Sequence, residues 1–158
     1  MLRSRSLARS LAALALIASV AACGGGAPTD ADGADAPMAI GVSGAQTVDF
    51  DTTGGCGKAL GDDASWGGMF TSPDSAWLLD ITVEGTFDGG TYATADHEAG
   101  LATVFLTNGA GTTYDALVGD GTVVVDAGAR SGSIEATLTA SDGSTVEVDG
   151  PWTCESWD

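Results

Sequence analysis

Basic residues are nearly missing from this chain. Five of its 158 residues are Lys or Arg, against 22 Asp and Glu and a single His. Three of the five (Arg3, Arg5, Arg9) sit at the very start, so the stretch from Cys23 onward keeps only Lys58 and Arg130 against all 22 acids, a net charge of −20. Such a surface repels phosphates, which argues against nucleic acid as a partner. It equally repels anionic lipid headgroups, so charge cannot hold it to a membrane. One His, one Lys and neither a Gly-x-Ser-x-Gly nor a His-Glu-x-x-His motif leave few groups for nucleophilic or metal-assisted catalysis. Gly, Ala, Thr and Asp dominate and Lys is almost absent, so few helix-favouring charged residues remain, which tilts the reading toward strands and turns.

What is present begins with a leader. Residues 1–10 carry three Arg and no acid, and Leu11-Ala-Ala-Leu-Ala-Leu-Ile-Ala-Ser-Val20 is a short apolar run. Roughly ten apolar residues cannot span a bilayer. Val20-Ala21-Ala22-Cys23 closes the run with small residues, giving the three parts of a secretory signal over residues 1–22. A peptidase that binds the extended backbone closely needs such small side chains. Residues 23–38 are rich in Gly, Ala, Asp and Pro and offer no face to bury, so they read as a flexible acidic linker. Within them, Asp30-Ala31-Asp32-Gly33-Ala34-Asp35 departs from the spacing of a calcium-binding loop and lacks its twelfth-position Glu. No metal or cofactor is expected.

From residue 39 to 158 the pattern is that of an all-β domain. Trp77, Leu79, Ile81 and Val83 alternate with polar or outward residues. So do Ile134, Ala136, Leu138 and Ala140, and again Val146, Val148, Gly150, Trp152 and Cys154. Residues 101–107 and 122–126 are more continuously apolar. Residues 46–51, 68–71 and 113–118 are weaker candidates. Gly89-Gly90, Asn108-Gly109, Asp120-Gly121 and Asp142-Gly143 are turn signals. The expectation is a single antiparallel β-sandwich or barrel-like domain of about 7–9 short strands. One hairpin can be argued to the register. A three-residue loop, Ser141-Asp142-Gly143, pairs Leu138 with Val146 and Ala136 with Val148, and it places Gly143 where a positive φ is needed.

If Cys23 is consumed by processing, Cys56 and Cys154 are an even pair in an exported chain and read as a disulfide. A metal pair is disfavoured because no Cys or His lies near either one in sequence. His97, in Asp96-His97-Glu98, reads as an exposed loop residue. Acids at outward strand positions or in turns (Asp80, Glu84, Glu135, Glu147, Asp149, Asp120, Asp142) are expected to keep ordinary acidity, and no catalytic residue is assigned. Trp77 and Trp152 fall on the inward parity. Trp66 and Trp157 are less constrained and could serve a sugar platform.

Three features together carry a family likeness: the small residues before Cys23 with the Gly24-Gly25-Gly26 tether, Cys56 in a Gly-rich turn, and the closing run Gly132-Ser-Ile-Glu-Ala-Thr-Leu…Val146-Glu-Val-Asp-Gly-Pro-Trp-Thr-Cys154. Val20–Cys23 resembles the bacterial lipobox, and the whole resembles small envelope lipoproteins, including the mycobacterial 19 kDa lipoprotein antigen type. The resemblance implies diacylation of Cys23 (palmitate among the acyl chains), a lipid anchor in the cell membrane or outer envelope, and a domain facing the extracytoplasmic side without enzyme activity. Two or more acyl chains anchor stably where one is marginal. It carries no binding residues onto this sequence. A protein or glycan partner is unspecified. A carbohydrate- or small-ligand-binding lipoprotein is the alternative.

Overall fold

Alternation of apolar and polar residues drives the architecture, because a strand that places every second side chain on one face must bury that face against another sheet. A computed structural model describes residues 38–59, 61–86 and 88–156. The leader, Cys23, nearly all of the linker and Trp157 lie outside the described residues. Ten strands follow in order: β1 (Ile40–Gly44), β2 (Val48–Phe50), β3 (Gly54–Ala59), β4 (Asp62–Thr71), β5 (Trp77–Val83), β6 (Gly90–Ala93), β7 (Ala102–Asn108), β8 (Thr113–Val125), β9 (Ser131–Ala140) and β10 (Thr145–Ser156). The all-β expectation holds, with more strands than the seven to nine anticipated. The Gly-rich β1, β3 and β6 carry little periodic signal. Residues 113–118 and 122–126 join into the single strand β8. Asp120-Gly121, read as a turn, is part of an irregularity inside it, where the register with β9 shifts between Ala116 and Gly121.

The ladder pairings run round a circuit from β10 through β3, β4, β5, β7, β8 and β9 and back to β10, with β1–β2 attached to β10 and β6 attached to β8. The two long strands make the corners. The first half of β8 pairs with β7 and its second half with β6, while β9 runs along its other side. The first half of β10 pairs with β1, and residues 154–156 pair with β3. A strand that changes partner along its length passes from one sheet to the other, and bulges or bends permit the change. In β8 the bend is the irregularity at 117–120. In β10 it falls at Gly150-Pro151, where Gly150 has φ 134°. The β3–β10 pair is parallel, in an otherwise antiparallel set.

The inward faces form one apolar cluster. Phe50, Trp66, Phe70, Leu79, Ile81, Leu106, Val123, Leu138, Val148 and Trp152 are all buried in it. Met38, placed by composition at the end of the linker, is buried there too. Leu138 pairs with Val146 and Ala136 with Val148, in the expected register, and Gly143 has φ 82°. The turn is closed by Gly143 N–H donating to Ala140 O at 2.9 Å and by Ser144 donating to Asp142 Oδ1 from both its backbone N (2.9 Å) and its hydroxyl (2.7 Å).

Candidate functional site

Two regions of the outer surface gather ionisable side chains. The first lies over β5, β7 and β8. Phe105 of β7 points outward and is registered against Asp80 of β5 on one side and Asp115 of β8 on the other. Strands are spaced about 4.8 Å apart, so the two acids stand roughly 10 Å apart at Cα with the phenyl ring between them. The segment after β6 folds back over this face. His97, at φ 48°, packs its ring on Phe105 with centroids 5.9 Å apart, and its backbone N–H donates to Thr103 Oγ1 at 3.1 Å. Its Nδ1 lies 2.9 Å from Glu84 Oε1, and its Nε2 lies 3.9 Å from Asp96.

Chemistry follows from these neighbours. The hydrogen bond to Glu84 raises the His97 pKa. Slight burial opposes it, and the charges of Glu84 and Asp96 add to it. Burial raises the Asp80 pKa against a lowering hydrogen bond from the Thr82 hydroxyl. Burial also raises Asp115, followed by the charge of Asp96, and Asp115 Oδ1 is enclosed with no hydrogen-bond partner among the described residues. The ordinary acidity expected of Asp142 is corrected, since hydrogen bonds from the Ser144 hydroxyl and backbone N–H lower its pKa, and so is that expected of Asp80. Its outward parity was right, but an outward position in a central strand is buried in part too. His97 is exposed, as anticipated. The partner with the short contact is Glu84, thirteen residues upstream, rather than the adjacent Glu98.

The second region is an open groove on the outer face of β8, β9 and β10. Two adjoining concavities of about 340 and 580 Å³ share Thr122, Glu135 and Glu147. Asp120 also lines the first, and Asp149 and Pro151 line the second. Asp149 is registered directly opposite Glu135, and Glu147 opposite Thr137, whose hydroxyl donates to Glu147 Oε2 at 3.1 Å. No Lys, Arg or His lines either concavity. The wall beside Asp120 is the β8 irregularity, and Thr94 holds it at three points. Thr94 N–H donates to Gly121 O (3.0 Å), Gly119 N–H donates to Thr94 O (2.9 Å), and the Thr94 hydroxyl donates to Leu117 O (3.0 Å). Sequence reasoning missed this wall. The available signal was the break in alternation at Leu117-Val118, two apolar residues that end up 56% and 69% exposed.

Cys56 and Cys154 form a disulfide between the parallel strands β3 and β10, with Cα atoms 5.7 Å apart. Both are buried, and the carbonyls of Ala129 and Arg130 in the loop before β9 lie over the sulfurs at 3.6 and 3.3 Å. Trp152 is fully buried as its parity required, and Trp77 is half-buried against the core. Trp66 is also in the core, stacked against Trp152 at 5.1 Å with its indole N–H donating to Ala129 O at 3.0 Å, so it offers no exposed sugar platform. Among the described residues no three His, Cys, Asp or Glu side chains are placed to share a metal ion, and no helix is long and apolar enough to cross a membrane. Comparison with protein-family models, with curated proteins and with solved structures finds no match for this chain.

Proposed function

We propose that this chain is a lipid-anchored protein of the extracytoplasmic cell envelope whose β domain works by surface contact rather than by turnover. The observation that carries the reading is the Cys56–Cys154 disulfide, since such bridges persist in oxidising compartments outside the cytosol. The Arg-bearing leader, its short apolar core and the Ala21-Ala22-Cys23 junction supply a consistent route to that compartment. On this reading acyl chains on Cys23 hold the protein to the membrane, and the acidic linker sets the domain off from the bilayer. The likeness to small bacterial envelope lipoproteins points the same way.

Cell fractionation tests the anchor. The wild-type protein is expected in the membrane fraction, and Cys23→Ser in the soluble fraction. A Ser variant that still partitions with membranes defeats the lipid anchor. A screen over glycosides, esters and peptides is expected to be blank. Reproducible turnover abolished by replacing one acid pair defeats the contact reading.

A further inference from the structure

We propose that the outer face of β8, β9 and β10 docks an extended, Lys- or Arg-bearing segment of a partner protein, with an apolar residue of that segment covering Leu117 and Val118. The inference rests on the contact reading above and supplies the chemistry of the partner.

Shape is the first argument. The groove follows the strands from the Thr94-pinned wall at Gly119–Thr122 to Pro151. It spans residues 119–124 of β8, 133–137 of β9 and 147–151 of β10, an open surface along which an extended backbone can lie, and its wall is fixed before anything binds. Preorganisation of this kind lowers the ordering cost of association.

Charge is the second. Like charges directly opposite on an antiparallel ladder destabilise the sheet, yet Asp149 faces Glu135 with Glu147 two residues away and no basic side chain lining the groove. A cationic side chain laid across the ladder would relieve that repulsion, so the binding energy includes a term the free domain lacks. The acidity of the stretch from Cys23 onward, −20 in formal charge, steers such a segment in and keeps nucleic acid and anionic bilayers out.

The third argument is the apolar step. Leu117 and Val118 belong to the same wall and project to solvent, more exposed than any other large apolar side chain described. A polyamine or simple cation would leave them uncovered, whereas a polypeptide can satisfy both the carboxylates and this step.

The test uses the full chain and two synthetic probes, (Lys-Thr)5 and (Lys-Thr)4-Leu-Leu. The Leu-tailed probe is expected to bind more tightly, and to shift the amide resonances of residues 119–122, 133–137 and 147–150 selectively. Glu135→Gln with Asp149→Asn is expected to weaken binding at least tenfold. Asp51→Asn with Glu98→Gln changes the net charge equally outside the groove and is expected to weaken it less than threefold. Leu117→Ser with Val118→Ser should abolish the preference for the Leu tail while leaving (Lys-Thr)5 binding unchanged. Equal weakening by the two acid pairs, or shifts spread over the whole surface, would mean unspecific charge attraction and overturn the proposal. So would absence of binding by either probe. Mass analysis of the recovered probes separates the two readings: intact, unbound probes defeat the docking surface alone, whereas cleaved probes defeat the contact reading beneath it.

Discussion

Asp80 and Asp115 stand on opposite sides of the Phe105 ring, each registered against it across its own ladder. Burial on this face raises the pKa of both carboxylates, and both keep their protons to higher pH than free aspartate.

For Asp80 the consequence for stability has a definite sign. A folded-state pKa above the unfolded value of 3.8 means that the fold favours the protonated form. That favourable contribution is complete below about pH 3.8 and is lost as pH rises through the raised folded value. Asp80→Asn keeps an acceptor for the Thr82 hydroxyl and removes the ionisation. It is expected to raise Tm at pH 7 and to leave it nearly unchanged at pH 3. Thermal unfolding at the two pH values checks this. A lower Tm at pH 7, or an equal change at both, contradicts it.

His97 behaves in a complementary way. Its raised pKa favours the imidazolium in the fold, so its contribution is complete below about pH 6.5 and declines as pH rises through the folded value. The ring is 65% exposed, so solvent and salt screen the pair, and the contribution stays below about 1 kcal/mol. Glu84→Gln is expected to return the His97 titration, followed by NMR, toward 6.5. A titration midpoint unmoved by that substitution would show that Glu84 is not the cause.

How much of this was legible depended on how far apart the interacting residues lie. The β9–β10 hairpin was readable to the residue pair because turn chemistry and alternation act within a few positions, as at Leu138 and Val146. The Cys56–Cys154 bridge was readable although its partners are distant, because only two candidates remained. β1, β3 and β6 were not: Gly41, Gly54, Gly55, Gly57 and Gly90 carry no side chain to alternate. Asp120-Gly121 misled because a turn dipeptide also suits a bulge, and only pairing with β9 decides between them. In the candidate sites the outward parity of Glu135, Glu147 and Asp149 was visible. Their juxtaposition across the ladder could be read only from the register. The burial of Asp80 arises where its strand is paired across the ladder, with Phe105 opposite and 25 positions away, and no local pattern encodes it.

The bridge itself makes a quantitative prediction. It closes a separation of 98 residues, for which the chain-entropy model gives about 4–5 kcal/mol as an upper guide. Cys56→Ser with Cys154→Ser is expected to lower the unfolding free energy by about 4 kcal/mol in urea titrations. Peptide mapping without reductant should find the two cysteine peptides joined. Free thiols at both positions in protein isolated from its own compartment would refute the bridge.

Gly132 offers the sharpest test of packing. It lies on β9 opposite Trp152 of β10 and Val125 of β8. A methyl group added there would run into the backbone oxygen of Val124 on one side and the Trp152 indole on the other. Neither can yield cheaply. The Val124 oxygen belongs to a strand held along its length by β9, and the Trp152 ring is fully buried between Trp66, at 5.1 Å, and Phe70, at 5.9 Å. Moving Trp152 would disturb the strand that carries Cys154 and the indole that holds the Ala129 carbonyl through Trp66. Overpacking a rigid core costs about 1–3 kcal/mol, and contact with backbone on one side and a clamped indole on the other puts Gly132→Ala at about 3 kcal/mol. Gly128, four residues earlier in the loop, has open space where its methyl would stand. Gly128→Ala is therefore expected to change stability by under about 0.5 kcal/mol. Urea unfolding of both variants, with tryptophan fluorescence reporting the environment of Trp66 and Trp152, measures the contrast. Similar, small effects from the two substitutions would mean that the Trp152 ring does not lie over β9 as described.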